Sequence, residues 1–537
     1  MESHTYILQY IHTHSNILIQ YFIKMQTFCL SLIIIIISIL CILIVPTTVA
    51  NNINNNNGLP QIIKHNIVNN DNNNNPNSTT NNNSGTFWWF TDMHVDVWGN
   101  MTETPECAWT PSEQMISGLN AMKEINGEPD FILMSGDIVH FPKRNVSDLT
   151  PELILLTIEQ VTAWVMKTFP NAKLYGALGN HDLSPSNNWP TTPSESKWLF
   201  DKLVDIWSPW LPETALKTLG ETGWYSADVD GVPGLRIITP NTNYWAFYNT
   251  YLIFNSTIAD IQWKWIESEL ERAWNDGVKV YINGHHPPVG QYEGNSADDF
   301  WPMYTQKYVQ LMEKYHAIIV AGFFGHEHVD EFRLMRKCNY YYKPSNTSTV
   351  NNCRGDPFGV VFVGQCMSNC GSPSFREWTF DKTSMELQDY KSYVYDEAIA
   401  AASNFSASTE SSADDEGVEN FIVKEMDDDK PRSYASEWPL QYQWSDIYTN
   451  MDNMTAMEWE KQLDAMSKND TLFEEFMGRR RPSNPGCTTS KCKDWMLCNY
   501  GYGTYAEFLQ CAFNGYNNYH NQSLFNREMV SSGFGPN

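Results

Sequence analysis

The hydrophobic pattern changes abruptly along the chain. Residues 28–45, FCLSLIIIIISILCILIV, form an unbroken apolar run. Residues 51–84 are then dominated by asparagine, with almost no aromatic side chains. Such a stretch cannot bury a core, so 51–85 is expected to be a disordered spacer. From TFWWFTD onward the pattern is that of a folded domain. Apolar, β-rich runs predict strands at Phe87–Thr91, Phe131–Ser135, Lys173–Leu178, Leu235–Thr239, Lys279–Asn283, Ala317–Phe323 and Gly359–Val363. Helical patterns lie between them, over 149–168 and 258–274. In the second, Ile258, Ile261, Trp265, Leu270 and Trp274 fall close to one stripe. This alternation predicts an α/β fold with helices on both faces of its sheets. Residues 401–435 are rich in Ser, Asp and Glu and read as an acidic linker or insertion. Residues 436–537 read as short helices carrying Trp, Tyr and clustered cysteines.

The apolar run also bears on destination. Lys24 precedes it, Met25 is a possible start, and TTVA places Thr48 and Ala50 at the small-residue positions of a signal-peptidase site. Residues 1–50 are therefore expected to be a signal peptide cleaved after Ala50, leaving no transmembrane anchor. A retained signal anchor is the alternative, since eighteen apolar residues can just span a bilayer. Sequons such as Asn100-Met-Thr, Asn145-Val-Ser, Asn255-Ser-Thr and Asn453-Met-Thr agree with export. Nine cysteines follow residue 50, an odd number, in a chain whose export permits disulfides. The partners of Cys107, Cys366 and Cys370 stay open. With 35 basic and 62 acidic side chains the formal charge is −27. That argues against a nucleic-acid polymer as partner and against electrostatic docking on anionic lipid.

The chemistry gathers where the strands end. The first is followed by TDMHVD, with Asp92 and His94, and the second by SGDIVH, with Asp137 and His140. LGNHD follows the third, with Asn180, His181 and Asp182. NGHHPP and GHEH follow two later strands, with His285, His286, His326 and His328. Ligand sites in open α/β sheets gather at such carboxyl ends. Ten histidines lie beyond residue 50, and seven fall in these motifs. On a helix His326 and His328 would face apart, whereas a strand end or tight loop lets both reach one point.

The order D-x-H, GD, GNHD, GH, GHxH resembles the calcineurin-like metallophosphoesterases. A closer resemblance is to the acid sphingomyelinases and their sphingomyelinase-like relatives. It is carried by GHEHVDEF, GHHPPVG, SPSFREW and the tail CTTSKCKDWMLCNYGYGTYAEFLQC. It implies a core of two packed β-sheets flanked by helices over 86–400, with a small disulfide-bonded helical region after it. It also implies the pairs Cys487–Cys492 and Cys498–Cys511, and makes Cys338–Cys353 plausible. Two zinc ions are implied, one held by Asp92, His94 and His328, the other by Asn180, His285 and His326, with Asp137 bridging. The purple acid phosphatases of this superfamily place a Tyr after the GD motif. Asp137-Ile-Val-His140 has none, which lowers the iron reading.

The implied function is a secreted or lysosomal/endosomal phosphodiesterase that converts sphingomyelin-type substrates to ceramide and phosphocholine, through a hydroxide bridging the metals. His181 is the candidate general acid, with Asp182 orienting it. His286 reads as structural or as a neighbour of the ligands. His140 lies three residues after Asp137, where the family often has a His four after, so its role in helping the leaving group is less secure. The alternatives are nucleotide or other soluble phosphoesters, or an inactive surface glycoprotein. Residues 51–85 are too short and too polar for a saposin-like segment, so activity on membranes is expected to be weak without detergent or a helper.

Overall fold

The computed structural model describes residues 83–97, 110–141, 149–290, 299–337, 355–369, 372–402, 411–413, 419–421, 433–481, 487, 489–502 and 504–521. Twelve strands build two six-stranded sheets. In chain order they are β1 Ser84–Phe90, β2 Phe131–Met134, β3 Lys173–Gly176, β4 Tyr225–Asp228, β5 Leu235–Thr239 and β6 Lys279–Asn283. They continue as β7 Ile319–Phe324, β8 Glu331–Arg336, β9 Pro357–Val363, β10 Ser374–Asp381, β11 Leu387–Val394 and β12 Leu440–Gln443. The first sheet runs β12-β11-β10-β1-β2-β3 and the second β8-β9-β7-β6-β5-β4. The pairs β1/β2, β2/β3, β5/β6, β6/β7 and β7/β9 are parallel.

The alternating residues of β1 show how the layers meet. Phe87 stacks on Phe131 at 4.6 Å and meets Phe323 of the second sheet edge-on at 5.6 Å. Trp88 points the other way, packs on Phe375, and donates its indole N–H to Asn126 O. Both faces of β1 are therefore buried, as its continuous apolar run requires.

All seven sequence-predicted strands are present, and so are both helices, as Pro151–Thr168 and Thr257–Asp276. Thr150 caps the first by accepting from Leu153 N. In the second the buried face is rotated from the predicted stripe. Ile258, Gln262, Ile266, Leu270 and Ala273 are buried, whereas Ile261 and Trp274 are exposed. Gln262 explains the shift. Its side chain bonds both the N–H and the C=O of Asn241, putting a satisfied polar group on the inner face. Strand β8, EFRLMR, escapes a hydrophobic reading for the same reason: all six residues are buried, the charged ones in pairs.

The C-terminal helices Ala456–Lys468, Asp470–Arg480, Ser490–Gly501 and Tyr505–Asn514 set Trp459, Phe476 and Tyr500 around Phe332 of β8. Cys487–Cys492 and Cys498–Cys511 are bonded, the two pairs that the resemblance implies. Cys338–Cys353, residues 1–50, nearly all of the spacer and most of 401–435 lie outside the described residues. Among the described residues no helix is long and apolar enough to cross a membrane.

Candidate active site

Five parallel strands deliver the site. Asp92 and His94 follow β1, Asp137 follows β2, and Asn180 and His181 follow β3. His285 follows β6, and His326 and His328 follow β7. Seven non-glycine residues among those described have positive φ, and five are Asp92 (51°), His94 (45°), Asp137 (52°), His326 (73°) and His328 (56°). Left-handed backbone at such residues is strained, by about 1–3 kcal/mol each, and persists only where its surroundings enforce it. Here Asp92 N donates to Gly136 O, His94 N to Asp137 O, and His326 N to the Asp92 carboxylate. Two glycines of the motifs are sterically required. A Cβ on Gly179 would lie 2.1 Å from Asp137 Oδ1, and one on Gly325 2.4 Å from Asp92 Oδ2.

The donors converge in two groups. His94 Nε2 is 3.2 Å from His328 Nε2, which is 3.1 Å from Asp92 Oδ1. Asn180 Oδ1 is 2.8 Å from His285 Nε2 and 2.9 Å from His326 Nδ1. Asp137 lies between, its Oδ2 3.3 Å from His285 Nε2 and 3.7 Å from His94 Nε2. Backbone carbonyls fix two tautomers. His94 Nδ1 donates to Val139 O and His285 Nδ1 to Ser135 O, which aims each ring's Nε2 inward, as a lone pair on neutral His94 and on His285 once it gives up its proton. Burial draws His94 down to about 3 despite Asp137, so its imidazole is neutral. Burial also opposes a charge on His285, yet Asp137 and Asp92 push it up to about 9. Burial alone would raise the Asp137 carboxyl, but His285 and His181 hold it well below the usual range. A protonated His285 answers part of the buried carboxylate charge, and a bound cation would displace that proton and answer the rest. The donor set of imidazoles, carboxylates and an amide oxygen fits a pair of divalent metals.

The remaining candidates fall in different places. His181 is buried beside the ligands, its ring 5.3 Å from His94 and 4.1 Å from Phe141, and its N–H bonds Asp137 Oδ1. Asp182 does not serve that ring. Its carboxylate accepts from the amides of Asp137, Ile138, Val139 and Gly179, pinning the GD turn to the GNHD turn. Burial and the charge on Asp137 push it up to about 7, against the pull of the Gly179 and Val139 amides. His140 turns its Nδ1 to the carbonyl of Phe141, and no hydrogen bond, ion pair or ring contact joins it to the ligand set. Phe141 is the residue that reaches the site, 4.3 Å from the His94 ring. His286 is closer than the sequence suggests, since ligand atoms of His285, His286 and His326 lie within 4.8 Å of one another. Its Nε2 faces Asn243 Oδ1 at 3.3 Å.

Sequence reasoning also missed Arg333. This fully buried residue of β8 bonds Glu327, which lies between His326 and His328, and Glu331. Its Nη1 donates to Val289 O on the loop after His285, so one guanidinium ties both ligand loops together. Arg480 from the C-terminal helices completes the cluster through Glu331, at 2.7 Å. Arg333→Met should destabilise the fold by about 3–5 kcal/mol, because it strands buried carboxylates. Urea unfolding of the two proteins measures this, and an unchanged midpoint would contradict it.

Residues 85–330 match the family model of the calcineurin-like phosphoesterases. Those residues carry that family's domain, and the fold and the strand-end donor groups are of that class. The relatives this chain resembles include acid sphingomyelinase-like phosphodiesterases. It is 31% identical to acid sphingomyelinase-like phosphodiesterase 3b of Homo sapiens, over 52% of this chain and 59% of that protein. It is 27% identical to the sphingomyelin phosphodiesterase of Bos taurus, over 72% of this chain and 54% of that protein. It is also 27% identical to cyclic GMP-AMP phosphodiesterase SMPDL3A of Homo sapiens, over 53% of this chain and 60% of that protein. The chain thus spans less than two thirds of each. Among solved structures, a dimetal phosphatase from Danio rerio overlaps at 10% identity over 58% of this chain and 95% of that one, with a TM-score of 0.35.

Proposed function

We propose that this chain is a secreted, zinc-dependent phosphodiesterase that hydrolyses sphingomyelin-type diesters to ceramide and phosphocholine. One observation supports the metal site: carbonyl-locked His94 and His285 turn their Nε2 atoms toward buried carboxylates, beside ligand residues held in left-handed backbone. Asp92, His94 and His328 would hold one ion, Asn180, His285 and His326 the other, with Asp137 shared between them. Bound zinc supplies Lewis acidity toward the phosphoryl oxygens and lowers the pKa of water.

The chain's own groups do the rest. The site seats a phosphodiester against the two donor groups. A water oxygen forms the new bond to phosphorus, the ester P–O bond breaks in line, and the departing alkoxide takes a proton. The reading assigns that proton to His181, whose ring lies 5.3 Å from that of His94 and whose pKa burial draws down, so substrate charge must favour its protonated form. Phe141 packs against both rings, 4.3 Å from His94 and 4.1 Å from His181.

Chelation tests the reading. It should abolish hydrolysis of sphingomyelin in micelles and lower the melting temperature, and zinc should restore both. Full activity in protein shown by elemental analysis to be metal-free would overturn it. The second reading, a soluble nucleotide-type diester, is favoured by the likeness to the cyclic GMP-AMP phosphodiesterase. Assaying both substrate classes side by side separates the two.

A further inference from the structure

Beside the site lies an apolar ledge. Phe254 is 85% exposed, Ile253 64% and Met303 61%, with Phe247 and Tyr251 also exposed. Four of the five fall within residues 247–254, and large hydrophobic side chains exposed this openly in one short segment mark a contact site. The backbone beneath them is fixed. Phe247 N donates to Asp299 O and Trp301 N to Trp245 O, so the two segments that carry the ledge are laced together. Buried Leu252 anchors the short helix Thr250–Ile253.

The segment that carries the ledge also reaches the site. Phe247 packs on Trp301 at 4.8 Å, and the neighbouring Tyr248 ring lies 5.9 Å from the ring of His326. On the other side Asn249 donates to Trp189 O, and Thr250 Oγ1 to Asn188 Oδ1. The residue before that pair, Asn187, accepts from Asn180.

Charge narrows the partner. The stretch PNTNYWAFYNTYLIFNSTIA, residues 240–259, carries no charged side chain, and neither does FWPMYTQ, residues 300–306. In a chain of charge −27 such a gap neither repels nor attracts a zwitterionic surface, while the rest of the molecule repels an anionic one. Exposed aromatic and aliphatic side chains on a rigid rim suit the headgroup–acyl boundary.

We propose that this ledge seats the protein on zwitterionic lipid, so that a choline-bearing phosphodiester reaches the donor groups at the membrane surface. The inference rests on the phosphodiesterase reading and extends it to lipid access. The spacer's polarity led to the expectation of weak activity on membranes without detergent or a helper, and this ledge would reverse that expectation.

The test uses the whole purified protein and the double variant Ile253→Ser, Phe254→Ser. Neither residue belongs to the donor groups. Wild type should co-sediment with phosphatidylcholine–sphingomyelin vesicles without detergent, and the variant should bind about 10²-fold more weakly. Turnover of a water-soluble aryl phosphodiester should be equal in the two proteins. Equal vesicle binding by the two would overturn the proposal. So would a wild type that ignores vesicles but forms a dimer that the variant dissolves. Binding that appears only after removal of a glycan at Asn255 would show that the glycan covers the ledge, and would overturn it too. A zinc-loaded wild type that binds vesicles yet fails on the soluble diester would instead count against the phosphodiesterase reading alone.

Discussion

Asp137→Ala should lower turnover of every phosphodiester by about 10³-fold or more, the equivalent of several kcal/mol of lost transition-state stabilisation. The expectation comes from where the carboxylate lies. One oxygen faces both histidine groups, 3.3 Å from His285 and 3.7 Å from His94, and the other accepts the amide of His181. Asp182 cannot move into that position, because it is committed to four backbone amides. Two dications at close range repel each other, and a shared carboxylate offsets part of that repulsion. Its loss should therefore release metal as well as activity. Elemental analysis and steady-state kinetics on one preparation measure both. Retention of full metal content together with wild-type rates would show that Asp137 has no bridging role.

His181→Gln should produce an effect of similar size, but a selective one. A general acid matters in proportion to how badly the leaving group needs its proton. Hydrolysis of a choline lipid, whose leaving group is an alkoxide, should slow by about 10²–10⁴-fold. An aryl diester, whose phenolate departs unaided, should lose much less. Bound metal should remain near the wild-type level, because Asn180 and not His181 stands among the donors. Loss of metal, or equal loss on both substrates, would remove His181 from the proton-transfer role. His140 is then a poor replacement, since no contact joins it to the site, and His286 becomes the next residue to test.

The strand-end motifs were legible because their chemistry is local. A short apolar run, a glycine and a metal-competent side chain are all readable within six residues. The α/β alternation was legible for the same reason, and so was each strand whose residues are uniformly apolar. What escaped depends on partners distant in sequence. Arg333 looks like an exposed charge on an amphipathic strand until Glu327, Glu331 and Val289 close around it. Gln262 looks solvent-facing until Asn241 satisfies it. Asp182 looks like the orienting partner of its neighbour His181, yet the close approach of two turns gives it four amides instead. The apolar ledge cannot be read from composition, because Phe254 and Trp245 are indistinguishable until the fold exposes one and buries the other.

The most direct measurement is metal content per chain, followed alongside phosphodiester hydrolysis, for wild type and His326→Ala. His326 Nδ1 lies against Asn180 Oδ1 in the second donor group, so its removal should empty that half and leave Asp92, His94 and His328 in place. The account predicts about two equivalents of metal in the wild type and about one in the variant, with hydrolysis of lipid and aryl diesters lost together. Wild-type protein that turns over at full rate while holding almost no metal, or a variant that keeps both its metal and its activity, would contradict it.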